Sequence, residues 1–98
     1  MTKDLSDTVY IKNPDIVFRK IADEVLLVPI RNNIRNLERI YSLNDVGARV
    51  WELIDGKMTA AQIRDCIARE FEVSPEIAEG DLQEFVRSLK DIDAVKEA

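Results

Sequence analysis

Cys66 is the one thiol in this sequence and the obvious candidate for a nucleophile. A thiol needs a neighbouring base or cation to become reactive, and the chain contains no histidine. Cys66 falls on the apolar side of a helical repeat made by Ile63, Cys66, Ile67 and Phe71, where a small cysteine usually serves as a core residue. Glu76, Glu79, Asp81 and Glu84 form the second group with chemical potential. Paired carboxylates can exchange protons or hold a hard cation, but this spacing matches no metal-binding loop, and such runs on helices are normally solvated faces. Trp51 and Phe71 fit core positions better than a cofactor box, and no Gly-rich phosphate loop is present. The expectation is a protein without catalysis, metal or cofactor.

The elements that position these residues begin with a helix around Trp51. Asn44 is a good N-cap, since its side-chain oxygen can accept from a free N–H of the first turn. Leu43 before it can fold back onto Ala48. Val46, Val50, Leu53 and Ile54 recur at helical spacing, with Gly47 and Trp51 widening the apolar face. Gly56 is expected to end the helix at the position that takes positive φ. Gly47 costs a helix about 1 kcal/mol relative to alanine, which points to close approach of another element at that position. Thr59 and Gln62 form a capping box that opens a second helix. Ser74 and Pro75 open a third, with Ala78, Leu82, Phe85, Val86 and Leu89 as its core stripe.

Upstream, residues 16–21 and 24–30 read as strands joined by a turn at Ala22-Asp23, with Pro29 at the end or free side of the second. Arg31-Asn32-Asn33 supplies turn chemistry. Residues 37–43 read as a third strand, with Leu37, Arg39, Tyr41 and Leu43 on one face and Glu38, Ile40 and Ser42 on the other. Residues 1–14 are expected to be a flexible arm, with the alternative that Tyr10 and Ile11 dock on a strand or on a second copy. Residues 93–96 form a short strand or fray. Three strands followed by three helices is an α+β pattern. The chain reads as one domain over residues 15–98, winged-helix-like, with a three-stranded antiparallel N-terminal sheet followed by a three-helix bundle.

Composition narrows the function classes. A chain of 98 residues with a single cysteine forms no internal disulfide. No apolar run approaches the ~20 residues that span a bilayer, and no signal peptide is visible, so the expected location is the cytoplasm, with no membrane partner. The net charge of −5 is unevenly spread: residues 1–43 hold seven Lys/Arg against six Asp/Glu, and residues 44–98 hold seven against thirteen. The second and third helices read as a helix-turn-helix, whose second helix would enter a DNA groove. Residues 74–89 carry four carboxylates and one arginine, Arg87, so phosphate backbones would be repelled and no nucleic-acid partner is expected.

The order and spacing of Leu43-Asn44, Gly47, Trp51-Glu52-Leu53-Ile54-Asp55-Gly56, Thr59, Ile63, Phe71, Asp81-Leu82, Phe85 and Leu89 resemble the PqqD family. Val25-Leu26-Leu27 and Pro29 fit that family's second strand, so the resemblance covers about residues 15–92. Val46 stands where a threonine is common, Asp93 where a glycine often precedes the last apolar pair, and the N-terminal arm is long. The family takes its name from pyrroloquinoline quinone biosynthesis. Its members serve as peptide chaperones and are the type of the precursor-recognition elements in ribosomally made, modified peptide pathways.

The resemblance implies a non-enzymatic binder that holds the leader segment of a precursor peptide and presents the peptide to a modifying enzyme, often a radical-SAM protein. The leader is expected to add a strand to the third strand of the sheet, in a groove beside the third helix. On that reading Leu37, Glu38, Arg39, Ile40, Tyr41 and Ser42 supply the backbone ladder. With Ala78, Leu82 and Leu89 inward, helical geometry puts Ile77, Asp81, Glu84 and Ser88 on one flank, with Phe85 and Ile92 between flank and core. Phe85 and Ile92 would floor the groove, and Asp81 and Glu84 would meet a basic or polar group on the leader. A short chain with a free strand edge could also form a homodimer. The competing reading is a winged-helix protein–protein or DNA-binding regulatory module.

Overall fold

The apolar run 25–28 becomes the middle of a sheet because both sides of it find partners. In the computed structural model, which describes residues 7–29 and 40–98, β1 is Tyr10–Lys12, β2 Ile16–Ile21, β3 Glu24–Pro29 and β4 Tyr41–Leu43. They are followed by α1 (Asp45–Leu53), α2 (Ala60–Glu70), α3 (Pro75–Asp91) and β5 (Val95–Glu97). β2, β3 and β4 form an antiparallel sheet in that order. Residues opposite one another in antiparallel strands share a face, so Phe18, Leu27 and Tyr41 lie in one row and Lys20, Val25 and Leu43 in the next. Leu27, in the central strand, is fully buried. Pro29 closes β3 as its missing N–H requires. Arg31, Asn32, Asn33 and Ile30 lie outside the described residues, as do Leu37, Glu38 and Arg39. Within the expected third strand, pairing runs from Tyr41 to Leu43.

The three helices start where their caps stand. The Asn44 side chain accepts from the Gly47 N–H at 2.7 Å. Thr59 and Gln62 make both bonds of the capping box, at 3.2 and 2.9 Å. The Ser74 hydroxyl accepts from the Ile77 N–H at 3.3 Å. The helix ends are less expected. α1 stops at an extended Ile54, whose N–H donates to the Val50 and Trp51 carbonyls. Gly56 does take positive φ, at 79°, but two residues beyond that cap. Between them the Asp55 carboxylate accepts from the Met58 and Lys57 N–H groups, and these bonds hold its pKa below the usual carboxylate value.

α2 and α3 end in the same motif. The Val73 N–H reaches the Ala68 carbonyl, and the Ala94 N–H reaches the Leu89 carbonyl, each spanning a left-handed residue. Those residues are Glu72, at φ 54°, and Asp93, at φ 59°, where a glycine would be unstrained. A left-handed L-residue costs about 1–2 kcal/mol, and glycine returns part of that as unfolded-chain entropy. Glu72→Gly is therefore expected to raise the unfolding free energy by about 0.5–1 kcal/mol, read as a higher urea midpoint at unchanged m-value.

Residues 8–13 are not a loose arm; the docked alternative describes them. β1 pairs antiparallel with β5, Tyr10 opposite Glu97 and Lys12 opposite Val95. The Thr8 carbonyl accepts from the Ala60 N–H at 2.8 Å, which ties the segment to the start of α2. Tyr10 is buried in the core, and the Lys12 amino group lies 4.9 Å from the Trp51 ring centroid. Burial there pulls the Lys12 pKa down, against the opposing pull of Glu52 and Asp55. The core itself joins Leu27 and Leu43 of the sheet to Val50, Trp51, Ile63, Ile67, Leu82, Val86 and Leu89 of the helices. Cys66 is half-buried and stands outside that cluster. α1 and α2 are further joined by a two-pronged pair, Arg49 Nε and Nη2 to the Glu70 carboxylate at 2.8 and 3.0 Å. Its side chains are more than a third exposed, so solvent screens the pair and it adds little to stability.

Candidate peptide-binding cleft

β4 ends at Leu43, and the chain turns at Asn44 straight into α1, so the first turn of α1 lies beside the strand. α3 supplies the facing wall. Between them is a cleft of about 280 Å³, lined by Tyr41, Ser42, Leu43 and Asn44 from the strand side, Val46, Gly47 and Val50 from α1, and Asp81, Glu84, Phe85 and Ser88 from α3. Phe85 approaches both of the other walls. Its ring meets that of Tyr41 with centroids 6.1 Å apart, tilted by 56°. A Cβ built on Gly47 would stand 3.2 Å from Phe85 Cε1. The close approach implied by a glycine in the middle of α1 is therefore the approach of Phe85, and the lack of a side chain there keeps this end of the cleft open.

Of the residues expected at the site, Tyr41, Ser42, Asp81, Glu84, Phe85 and Ser88 are brought together. Leu37, Glu38 and Arg39 lie outside the described residues. Ile40 stands next to β4 and is exposed. Ile77 is 55% exposed on the same flank of α3, one turn before Asp81, and does not line the cleft. Ile92 does not line it either: it caps α3 and packs half-buried against the core. Helical periodicity sets Ile92 between that flank and the core, but the chain leaves the helix at that residue and turns toward β5. The α1 contribution of Val46, Gly47 and Val50 was not anticipated as part of the site. Its signal was Gly47 itself, an otherwise unfavourable residue inside a helix.

The cleft is polar at its helical wall and apolar beneath. Asp81 and Glu84 are exposed and, among the described residues, no cation lines the cleft, so the wall carries two formal negative charges without a partner among those residues. The Ser88 hydroxyl is turned back to the Glu84 carbonyl at 3.2 Å. Among the described residues β4 pairs with β3 alone, so its other side is a sheet edge. Every second residue of an edge strand directs its N–H and C=O away from the sheet. Among the described residues no three His, Cys, Asp or Glu side chains could share a metal ion, and no helix is long and apolar enough to cross a membrane.

A three-stranded antiparallel sheet with one edge set against the last of three helices, and a side-chain-sized cleft between them, defines a small α+β domain built around that edge. The chain belongs to the PqqD family, coenzyme PQQ synthesis protein D, which it matches over residues 24–95. It is similar to the solved structure of TbiB1 in complex with the TbiA(beta) leader peptide, at a TM-score of 0.70 and 27% identity, over 88% of this chain and 94% of that one. No curated protein sequence gives a significant match.

Proposed function

We propose that this protein is a non-enzymatic peptide chaperone of the cytoplasm. It binds the leader segment of a ribosomally made precursor peptide as an added strand on β4 and presents the precursor to a modifying enzyme of the radical-SAM or a related class. The observation that carries this reading is the cleft beside Phe85, at the sheet edge, with Asp81 and Glu84 on its wall. A structure similar to this one was solved with a leader peptide bound, which supports the same class of ligand here.

The energetics require both parts of the site. Backbone hydrogen bonds contribute about 0.5–1.5 kcal/mol each, so a ladder of roughly five gives about 2.5–7 kcal/mol. Association costs an estimated 4–15 kcal/mol. A ladder alone therefore does not hold a peptide, and apolar anchors at about 1.5–3 kcal/mol each must enter the cleft. At about 280 Å³ the cleft falls just below the ~300–1,000 Å³ typical of small-molecule sites, which suits peptide side chains better than a cofactor.

The test is a titration of the ¹⁵N-labelled full chain with leader segments of short peptides encoded beside its gene. The expected result is saturable binding, about micromolar or tighter, with shifts concentrated at Tyr41, Ser42 and Leu43 and at Asp81, Glu84 and Ser88. Saturable binding that shifts other surfaces and leaves these untouched would sink the proposal. So would failure of every leader alongside DNA binding that collapses between low and moderate salt.

A further inference from the structure

α3 has a second face that the leader site does not use. By its 3.6-residue period, Leu82, Val86 and Lys90 lie on the flank away from Asp81 and Glu84. Along that flank runs another cleft, of about 200 Å³, closed by β1 and the start of α2. Its floor is apolar and buried: Tyr10, Leu82 and Val86 are each more than nine-tenths covered. Its rim is polar and exposed, formed by Arg87, Lys90 and Gln83.

The charges at the rim do not cancel. Glu79, the one acid of the lining among the described residues, is held by the Arg64 guanidinium at 3.3 Å. Lys90 sits 5.5 Å from the Tyr10 ring centroid and makes a long, exposed pair with Glu97 at 3.6 Å. Arg87 makes no ion pair among the described residues and is exposed. A protein of net charge −5 thus presents an uncompensated guanidinium beside an apolar hollow. The opposite flank of the same helix presents two carboxylates. The volume lies below that of small-molecule sites and suits one or two apolar side chains.

From this geometry we infer that the cleft between α3, β1 and the start of α2 is a second docking site, for an acidic segment of another polypeptide that presents an apolar anchor flanked by carboxylates. The anchor covers Tyr10, Leu82 and Val86, and a flanking carboxylate takes both prongs of Arg87, the side chain suited to a bidentate carboxylate pair. The two clefts lie on opposite flanks of α3, so both can be filled at once. The inference does not depend on what the first cleft binds.

A random dodecapeptide display library panned on the immobilised full chain tests this. The enriched peptides are expected to carry a leucine- or phenylalanine-sized residue beside aspartate or glutamate. A synthetic peptide of the winning sequence should bind Arg87→Glu at least about tenfold more weakly than the parent. Gln83→Trp, a bulky change at an exposed rim position, should block it comparably. Arg19→Glu makes the same charge change on β2, away from α3, and should leave affinity unaltered. Three peptide results would each overturn the inference: no acidic, apolar motif among the enriched peptides; binding that survives Arg87→Glu; or equal loss in Arg19→Glu, which would mark a response to net charge alone. Self-association abolished by Arg87→Glu would also overturn it, by making the occupant a second copy.

Discussion

Leu27→Ala is expected to lower the unfolding free energy by about 2–5 kcal/mol, the cost of a cavity at a site that relaxes only in part. Leu27 has no solvent exposure and stands in the central strand between Phe18 and Tyr41. A small domain has only about 5–15 kcal/mol in total, so this one change removes a large share. Urea unfolding followed by the fluorescence of Trp51, the single tryptophan and itself buried, measures it directly. Ile21→Ala serves as the comparison. Ile21 ends β2 and is 59% exposed, so its truncation should cost no more than about 0.5 kcal/mol. Equal costs at the two positions would contradict the register of the sheet. Because Tyr41 lies opposite Leu27 and leans on Phe85, the Leu27 cavity should also loosen the cleft and weaken leader binding in the variant that remains folded.

Asp81→Lys combined with Glu84→Lys should weaken leader binding by about a hundredfold, while the urea midpoint stays close to that of the parent. Both side chains are exposed on α3 and have no ion-pair partner among the described residues, so their replacement breaks no ion pair among those residues. Reversing them changes the cleft wall from two negative charges to two positive ones. A basic group on the leader then meets repulsion instead of attraction, a change worth several kcal/mol when charges are juxtaposed. The two readouts separate the causes. Loss of affinity with unchanged unfolding locates the effect in recognition, and fluorescence anisotropy of a labelled leader supplies the affinity. Unchanged affinity would remove the acidic wall from the binding mechanism and leave strand addition and the Phe85 contact to account for it.

Much of the architecture was legible because it is local. Asn44, Thr59 and Ser74 cap helices through bonds to N–H groups three residues away, so the starts of all three helices can be read from short stretches. The β2–β3 hairpin is equally local, closing on two residues at Ala22 and Asp23. Helix ends were harder. The motifs that close α2 and α3 employ Glu72 and Asp93 in a left-handed conformation instead of glycine, so the usual marker was missing. Gly56 misled by one position because Ile54 and Asp55 satisfy the end of α1 in another way.

The site divides in the same manner. The α3 wall of the cleft follows from a 3.6-residue period, which sets Asp81, Glu84, Phe85 and Ser88 along one side of the helix. By itself the sequence determined which residues share a helix face, where the helices begin, and that the chain resembles the PqqD family. Only the tertiary structure decided that Gly47 lets Phe85 approach α1, that Ile92 leaves the cleft to cap its helix, and that Tyr10 closes against the C-terminal strand. The first and last of those facts join residues about forty and nearly ninety positions apart. Such contacts form where packing a common core offsets the entropy of closing long loops, and no periodicity or capping pattern within a short segment records that balance.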